Sequence, residues 1–119
     1  MTPLGLRLRA MRDERGVTLK QMAAALQVSS AYLSALEHGR RGRPTWMLLQ
    51  KIIAYFNVIW DEAEELTRLA EISDPRITID TAGMPAEATE LANRLARDIG
   101  RLGPEDLRHL SAEVIRRAR

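Results

Sequence analysis

The sequence predicts an all-α protein: a five-helix domain, then a short strand, then a two-helix extension. Three observations predict it. Apolar residues recur at i, i+3, i+4 and i+7 through most of the chain, as they do on one face of a helix. Pro, Gly and small hydroxyl residues stand where one such face stops and the next starts. Only one run, residues 76–80, alternates apolar and polar as a strand does.

The first helix starts at Thr2, with Pro3 at its first position, where the missing N–H costs nothing. Leu4, Leu8 and Met11 form its inner stripe, and Gly16 ends it. The second helix, 19–26, carries Leu19, Met22, Ala23 and Leu26 on one face. It breaks at Gln27-Val28-Ser29. Ser29 caps a third helix, 30–38, with Leu33 and Leu36 inside and Gly39 at the left-handed position beyond its end. Two short helices, a tight polar turn and the small Ala23 at their close approach make a helix-turn-helix. Thr45 caps the fourth helix, whose face is Leu49, Ile52, Ile53 and Phe56, and Asn57 stops it. The fifth, 59–72, begins with Asp61, Glu62, Glu64 and Glu65 and has Arg68 near its end, an order that suits the helix dipole. Ile59, Ala63, Leu66 and Ala70 are expected to pack back on the first four helices.

This arrangement sets the domains at 1–73, a linker at 74–84 and a helical hairpin at 85–119. In the linker, Asp74-Pro75 breaks the helix. Ile77 and Ile79 share one side of the strand expected at 76–80. A lone strand leaves backbone groups unpaired, so it is expected to pair with its copy in a second subunit. An extended linker is the other reading. The sixth helix, 85–100, has Ala88, Leu91, Ala92, Leu95 and Ile99 on one face. The seventh restarts at Gly103-Pro104, with Leu107, Leu110, Val114 and Ile115. Some 35 residues make too little core alone, so this hairpin is expected to dock on the first domain or on a partner.

From Leu4 to Val58 the chain resembles the Cro/C1-type (XRE) DNA-binding domain, a lambda-repressor-like fold. Gly16, Thr18, Ala23, Leu26, Val28-Ser29, Leu33-Ser34, Glu37, Gly39, Pro44, Leu49, Ile52, Phe56 and Val58 carry the resemblance. Two positions depart from it. Leu19 stands where the family usually has a phosphate-touching Gln, and Gln27 stands where its turn usually has Gly. A non-Gly residue at positive φ costs on the order of 1 kcal/mol, so mild strain is expected at Gln27.

The resemblance implies that the third helix enters the major groove and turns Ser30, Ala31, Tyr32, Ser34 and Ala35 to base edges. Ser hydrogen-bonds several base edges, and Ala contacts a thymine methyl. No Arg, Gln or Asn stands in this set, so either Tyr32 carries most direct readout or the protein leans on DNA shape and on the arginine loop. Tyr32 packed on the second helix is the other reading. Arg40, Arg41 and Arg43 follow the recognition helix in a loop suited to phosphate contact. Lys20, Arg7 and Arg9 are further basic candidates. Thr18 and Ser29 set helix N-terminal amides against phosphate or act as plain caps. Trp46 presses on the DNA backbone or packs in the core. The resemblance also implies a structural pair, Arg12 with Glu37. His38 and His109 read as surface residues.

Charge agrees with this layout. Through Arg43 there are eight basic residues against three acids; from Pro44 on there are ten against thirteen. The basic end carries the helix-turn-helix, as contact with phosphate requires. There is no Cys, which excludes disulfides, thiol catalysis and thiolate metal sites. With two separated His, no metal and no cofactor are expected. No apolar run reaches the ~20 residues of a membrane span, and no signal-peptide layout is seen. The protein is expected in the cytoplasm, associated with the nucleoid.

Double-stranded DNA is the expected partner, read by a homodimer at an inverted repeat. A transcriptional regulator, most simply a repressor, is the leading reading. Activation would use the acids of the fifth helix. The competing reading is an antitoxin-type module whose hairpin covers a toxin, and polymerase is another candidate protein partner. An enzyme built on this domain, as in cyanases, lacks a nucleophile–base pair and a phosphate loop here. No segment suggests a small-molecule ligand.

Overall fold

The computed structural model describes residues 1–119. They form seven α-helices and one 3-10 turn: α1 (Pro3–Arg15), α2 (Leu19–Leu26), α3 (Ser30–Glu37), α4 (Trp46–Phe56), α5 (Asp61–Glu71), α6 (Ala86–Asp98), the turn Ile99–Arg101, and α7 (Pro104–Arg117). Contacts divide the chain into two units, Met1–Ile77 and Thr78–Arg119. No helix is long and apolar enough to cross a membrane.

In the first unit each helix start is built as its residues dictate. Thr2, Thr18, Ser29 and Thr45 are extended, and each side chain accepts an N–H from the first turn that follows it. That satisfies a donor the helix itself leaves free. The helix ends are as specific. Gly16, Gln27 and Asn57 sit in the left-handed region at φ 62°, 61° and 53°. Gly39 follows α3 at φ 77°, and the Arg40 N–H returns 2.9 Å to the Ala35 carbonyl.

One core results. Leu4, Leu8 and Met11 of α1 meet Met22, Ala23 and Leu26 of α2, Leu33 and Leu36 of α3, and Leu49, Ile52 and Phe56 of α4. Val58, Leu66 and Ala70 close it. Helices α1 and α3 approach so closely that a Cβ on Gly5 would lie 2.1 Å from the Glu37 carbonyl oxygen. The same carbonyl accepts the Thr2 N–H at 3.2 Å. At the far end of the unit, the buried Ser73 hydroxyl accepts the Leu4 N–H at 2.9 Å and donates to the Leu69 carbonyl. Residue 73 thus supplies a partner to the first turn of α1.

Three expectations fail. The strand at 76–80 does not form: this segment has no regular structure, and Ile77 and Ile79 are exposed. A single segment has no ladder to join within one chain, so alternation alone does not make a strand. The fifth helix begins at Asp61 rather than Ile59, because Trp60 takes φ 54°, ψ −122° and breaks the helical path. Ile59 is therefore 65% exposed and does not pack on the first four helices. The sixth helix runs 86–98 and tightens into the 3-10 turn, rather than running through Gly100.

In the second unit, α6 and α7 each keep an apolar stripe, yet no residue from Thr78 onward is buried.

Candidate nucleic-acid interface

The turn between α2 and α3 is set by local chemistry. Thr18 and Gln21 form a reciprocal capping box: Thr18 Oγ1 accepts the Gln21 N–H at 3.0 Å, and Gln21 Oε1 accepts the Thr18 N–H at 2.9 Å. Gln27 reverses the chain with its N–H bonded to the last carbonyls of α2. Ser29 then starts α3 by accepting the Tyr32 N–H at 3.0 Å. Leu33 and Leu36 anchor α3 inward, and Leu33 is completely buried. That anchoring fixes which residues face out. Ser30 and Ala31 are exposed, while Tyr32, Ser34 and Ala35 are half-buried. Of the five residues expected at base edges, Ser30 and Ala31 are thus fully outward, and Tyr32, Ser34 and Ala35 only partly so.

The arginine loop runs on from α3. Arg40, Arg41 and Arg43 are all exposed, and Pro44 behind them is buried. Arg41 reaches back over the Tyr32 ring, 5.8 Å from its centroid. A guanidinium over an aromatic face is attracted by the ring's quadrupole, so loop and helix support each other. Lys20, Thr18 and Ser29 are exposed on the same helix-turn-helix, and Arg9 is exposed on α1, whereas Arg7 is half-buried. Trp46 is 69% exposed beside the loop, so it takes no part in the core.

Arg12 and Glu37 meet in a two-pronged pair, Nε to Oε2 at 3.2 Å and Nη2 to Oε1 at 2.9 Å. Both are buried, and no buried side-chain polar atom in the protein lacks a partner. The pair joins α1 to the last residue of α3, behind the outward face. His38 Nδ1 lies 2.8 Å from the Ser34 carbonyl and is exposed. No group of acids and histidines has the arrangement to hold a metal ion.

Two features escape the sequence reading. Gln21 completes the capping box, although Thr-x-x-Gln before an apolar run is its recognised signature. Arg15, on the outer side of α1, lies 5.0 Å from the Phe56 ring centroid and covers its face. Nothing local in the sequence signals that contact.

These features define a helix-turn-helix domain with an outward-facing second helix and an adjoining basic loop. Comparison with known proteins agrees. Residues 3–74 match the family model described as a helix-turn-helix domain. An HTH-type transcriptional repressor of Bacillus subtilis, RghR, is 31% identical over 97 residues, 78% of this chain and 72% of its own length. RghRB of the same organism, an uncharacterized HTH-type transcriptional regulator, is 36% identical over 61 residues, 51% of this chain and 44% of its own. DdrOP3 of Deinococcus deserti, an HTH-type transcriptional regulator, is 44% identical over 52 residues, 44% of this chain and 40% of its own. The matches to the last two thus span less than half of those relatives. No solved structure matches the chain significantly. The chain belongs to the helix-turn-helix family.

Proposed function

We propose that this protein is a DNA-binding transcriptional regulator, most simply a repressor, that reads an inverted repeat as a homodimer. One observation carries the reading. The start of α3 presents Ser30, Ala31 and Tyr32 outward, with Arg40, Arg41 and Arg43 exposed beside it. A helix of this kind enters the major groove by its N-terminal residues, while flanking cations neutralise phosphates and fix its register. Ser30, Ala31, Tyr32, Ser34 and Ala35 serve as the base-edge set. Lys20 and the three loop arginines are the phosphate set, with the amides at the Thr18 and Ser29 caps beside them. Arg41 on the Tyr32 ring couples the two sets, so readout by Tyr32 depends on the loop. The transcriptional role is supported by the names of the relatives, among them one repressor matched over most of this chain.

The test starts from selection of genomic fragments bound by the full chain. The expected yield is an inverted repeat with half-sites about one helical turn, ~34 Å, apart. Anisotropy titrations then compare that duplex with an unrelated one across salt concentrations. Arg40→Ala and Arg43→Ala are expected to weaken both duplexes alike and to lower the salt slope by about one per lost phosphate. Tyr32→Ala is expected to weaken the selected duplex more than the unrelated one. A chain that ignores every duplex at low ionic strength overturns the reading; unchanged slopes in both arginine variants remove the loop from it.

A second reading, a protein-binding module of the antitoxin type, draws on the exposed apolar stripes of α6 and α7.

A further inference from the structure

We propose that Arg41 is a positioning residue for sequence readout: it keeps the Tyr32 ring out of a neighbouring groove, and so sets discrimination between duplexes where Arg40 and Arg43 set affinity for all of them. The inference rests on the DNA-binding reading and divides the labour within its arginine loop.

The first support is that the loop arginines are not equivalent. All three are exposed. Only Arg41 stands over an aromatic ring, with its guanidinium carbon 5.8 Å from the Tyr32 centroid. The attraction acts on both partners: it draws the loop toward α3, and it favours the ring position that the guanidinium covers.

The second support is what lies beside the ring. Tyr32 borders an open groove of about 290 Å³, whose other walls include Val28, Met47, Leu48 and Lys51. The Tyr32 backbone is fixed, because its N–H bonds Ser29 Oγ at 3.0 Å. Its side chain is only half-buried, so core packing does not fix the ring. An aromatic ring gains by moving from water onto apolar walls such as Val28, Met47 and Leu48. Tyr32 therefore has two places to lie, under Arg41 or down in the groove, and the guanidinium favours the first.

The third support is the company Tyr32 keeps. Ser30, Ala31, Ser34 and Ala35 are short, so Tyr32 has the longest reach in the base-edge set. It is also the third residue of α3, within the helix start that meets base edges. A shift of this ring alters readout more than a shift of any other member. Phosphate contacts carry no such information directly. Losing the cover on Tyr32 therefore costs discrimination, whereas losing a phosphate contact costs affinity on every sequence.

Anisotropy titrations of the full chain at one salt concentration test this, on the selected duplex and an unrelated one. The ratio of the two affinities is the readout, and thermal unfolding checks that each variant folds. Arg41→Gln is expected to lower the ratio by roughly two- to fivefold, and Arg40→Gln to weaken both duplexes and leave the ratio unchanged. In Tyr32→Phe, which keeps the ring, Arg41→Gln is expected to cost the same fold-change. In Tyr32→Ala, which removes the ring, it is expected to cost no further discrimination. A ratio indifferent to Arg41→Gln, or an equal loss with and without the Tyr32 ring, overturns the positioning role and leaves the DNA reading intact. A chain that ignores every duplex overturns both.

Discussion

The two units use the same interaction in opposite ways. In the first, Glu37 holds Arg12 with side-chain exposures of 2% and 10%. In the second, Glu113 holds Arg116 and Arg117 with the carboxylate 36% and the arginines 65% and 72% exposed. The buried pair joins α1 to α3, 25 residues apart in sequence, and each charge depends on the other because burial leaves little water to replace it. The exposed cluster lies within one helix, and water substitutes for any partner it loses. Burial, not the presence of an ion pair, therefore decides how much the loss of one partner costs.

Glu37→Ala probes that contrast most severely. It leaves Arg12 as an uncompensated buried charge, and a loss of about 3–5 kcal/mol is expected in denaturant unfolding. Glu113→Ala is expected to leave the midpoint of the same transition unmoved. Equal losses from both would end the comparison.

Glycine offers a second contrast. Gly5→Ala puts a methyl against the Glu37 backbone, where a Cβ would sit 2.1 Å from the carbonyl oxygen. Backbone cannot rotate aside, so a cost of about 1–3 kcal/mol or more is expected. Gly100→Ala meets nothing within 4 Å. It is expected to be neutral or to stabilise by up to about 1 kcal/mol, through the unfolded chain. Thermal unfolding of the two variants reads both signs.

Most of the first unit was legible because each of its helices has one dominant apolar face. Leu4, Leu8, Met22, Leu26, Leu33, Leu36, Leu49, Ile52 and Phe56 all lie where their spacing places them, in one core. The caps were legible for the same local reason. What failed was non-local or torsional. Ile77 and Ile79 alternate like a strand, but pairing needs a neighbour that spacing cannot supply. Ile59 continues the stripe of α5 on paper, yet the φ of 54° at Trp60 turns it outward. Arg15 on Phe56 and Ser73 on Leu4 join residues far apart in sequence. The outward side of α3 was legible once Leu33 and Leu36 were placed inside, since an eight-residue helix then has only one free side.

Gln27 offers a smaller test. Its φ of 61° is one that Gly adopts without strain. Gln27→Gly is expected to stabilise the first unit by up to about 1 kcal/mol. A clear loss of stability would mean that the Gln27 side chain contributes something beyond the turn.

The smallest effect is on acidity. Arg116 and then Arg117 hold the Glu113 carboxyl below its ordinary range. A carboxylate with a lowered pKa contributes above its unfolded value of 4.5 and loses that contribution as pH falls through the depressed value. A slight loss of helical circular dichroism is expected on acidification below about pH 4.5. Glu113→Gln is expected to remove that part of the pH response.

The hydroxyl of Ser73 shuts the first unit by meeting the backbone of residue 4. One hydroxyl thus ties the last residues of the matched stretch to its first turn, and a chain cut before residue 73 would leave the start of α1 with an unmet donor.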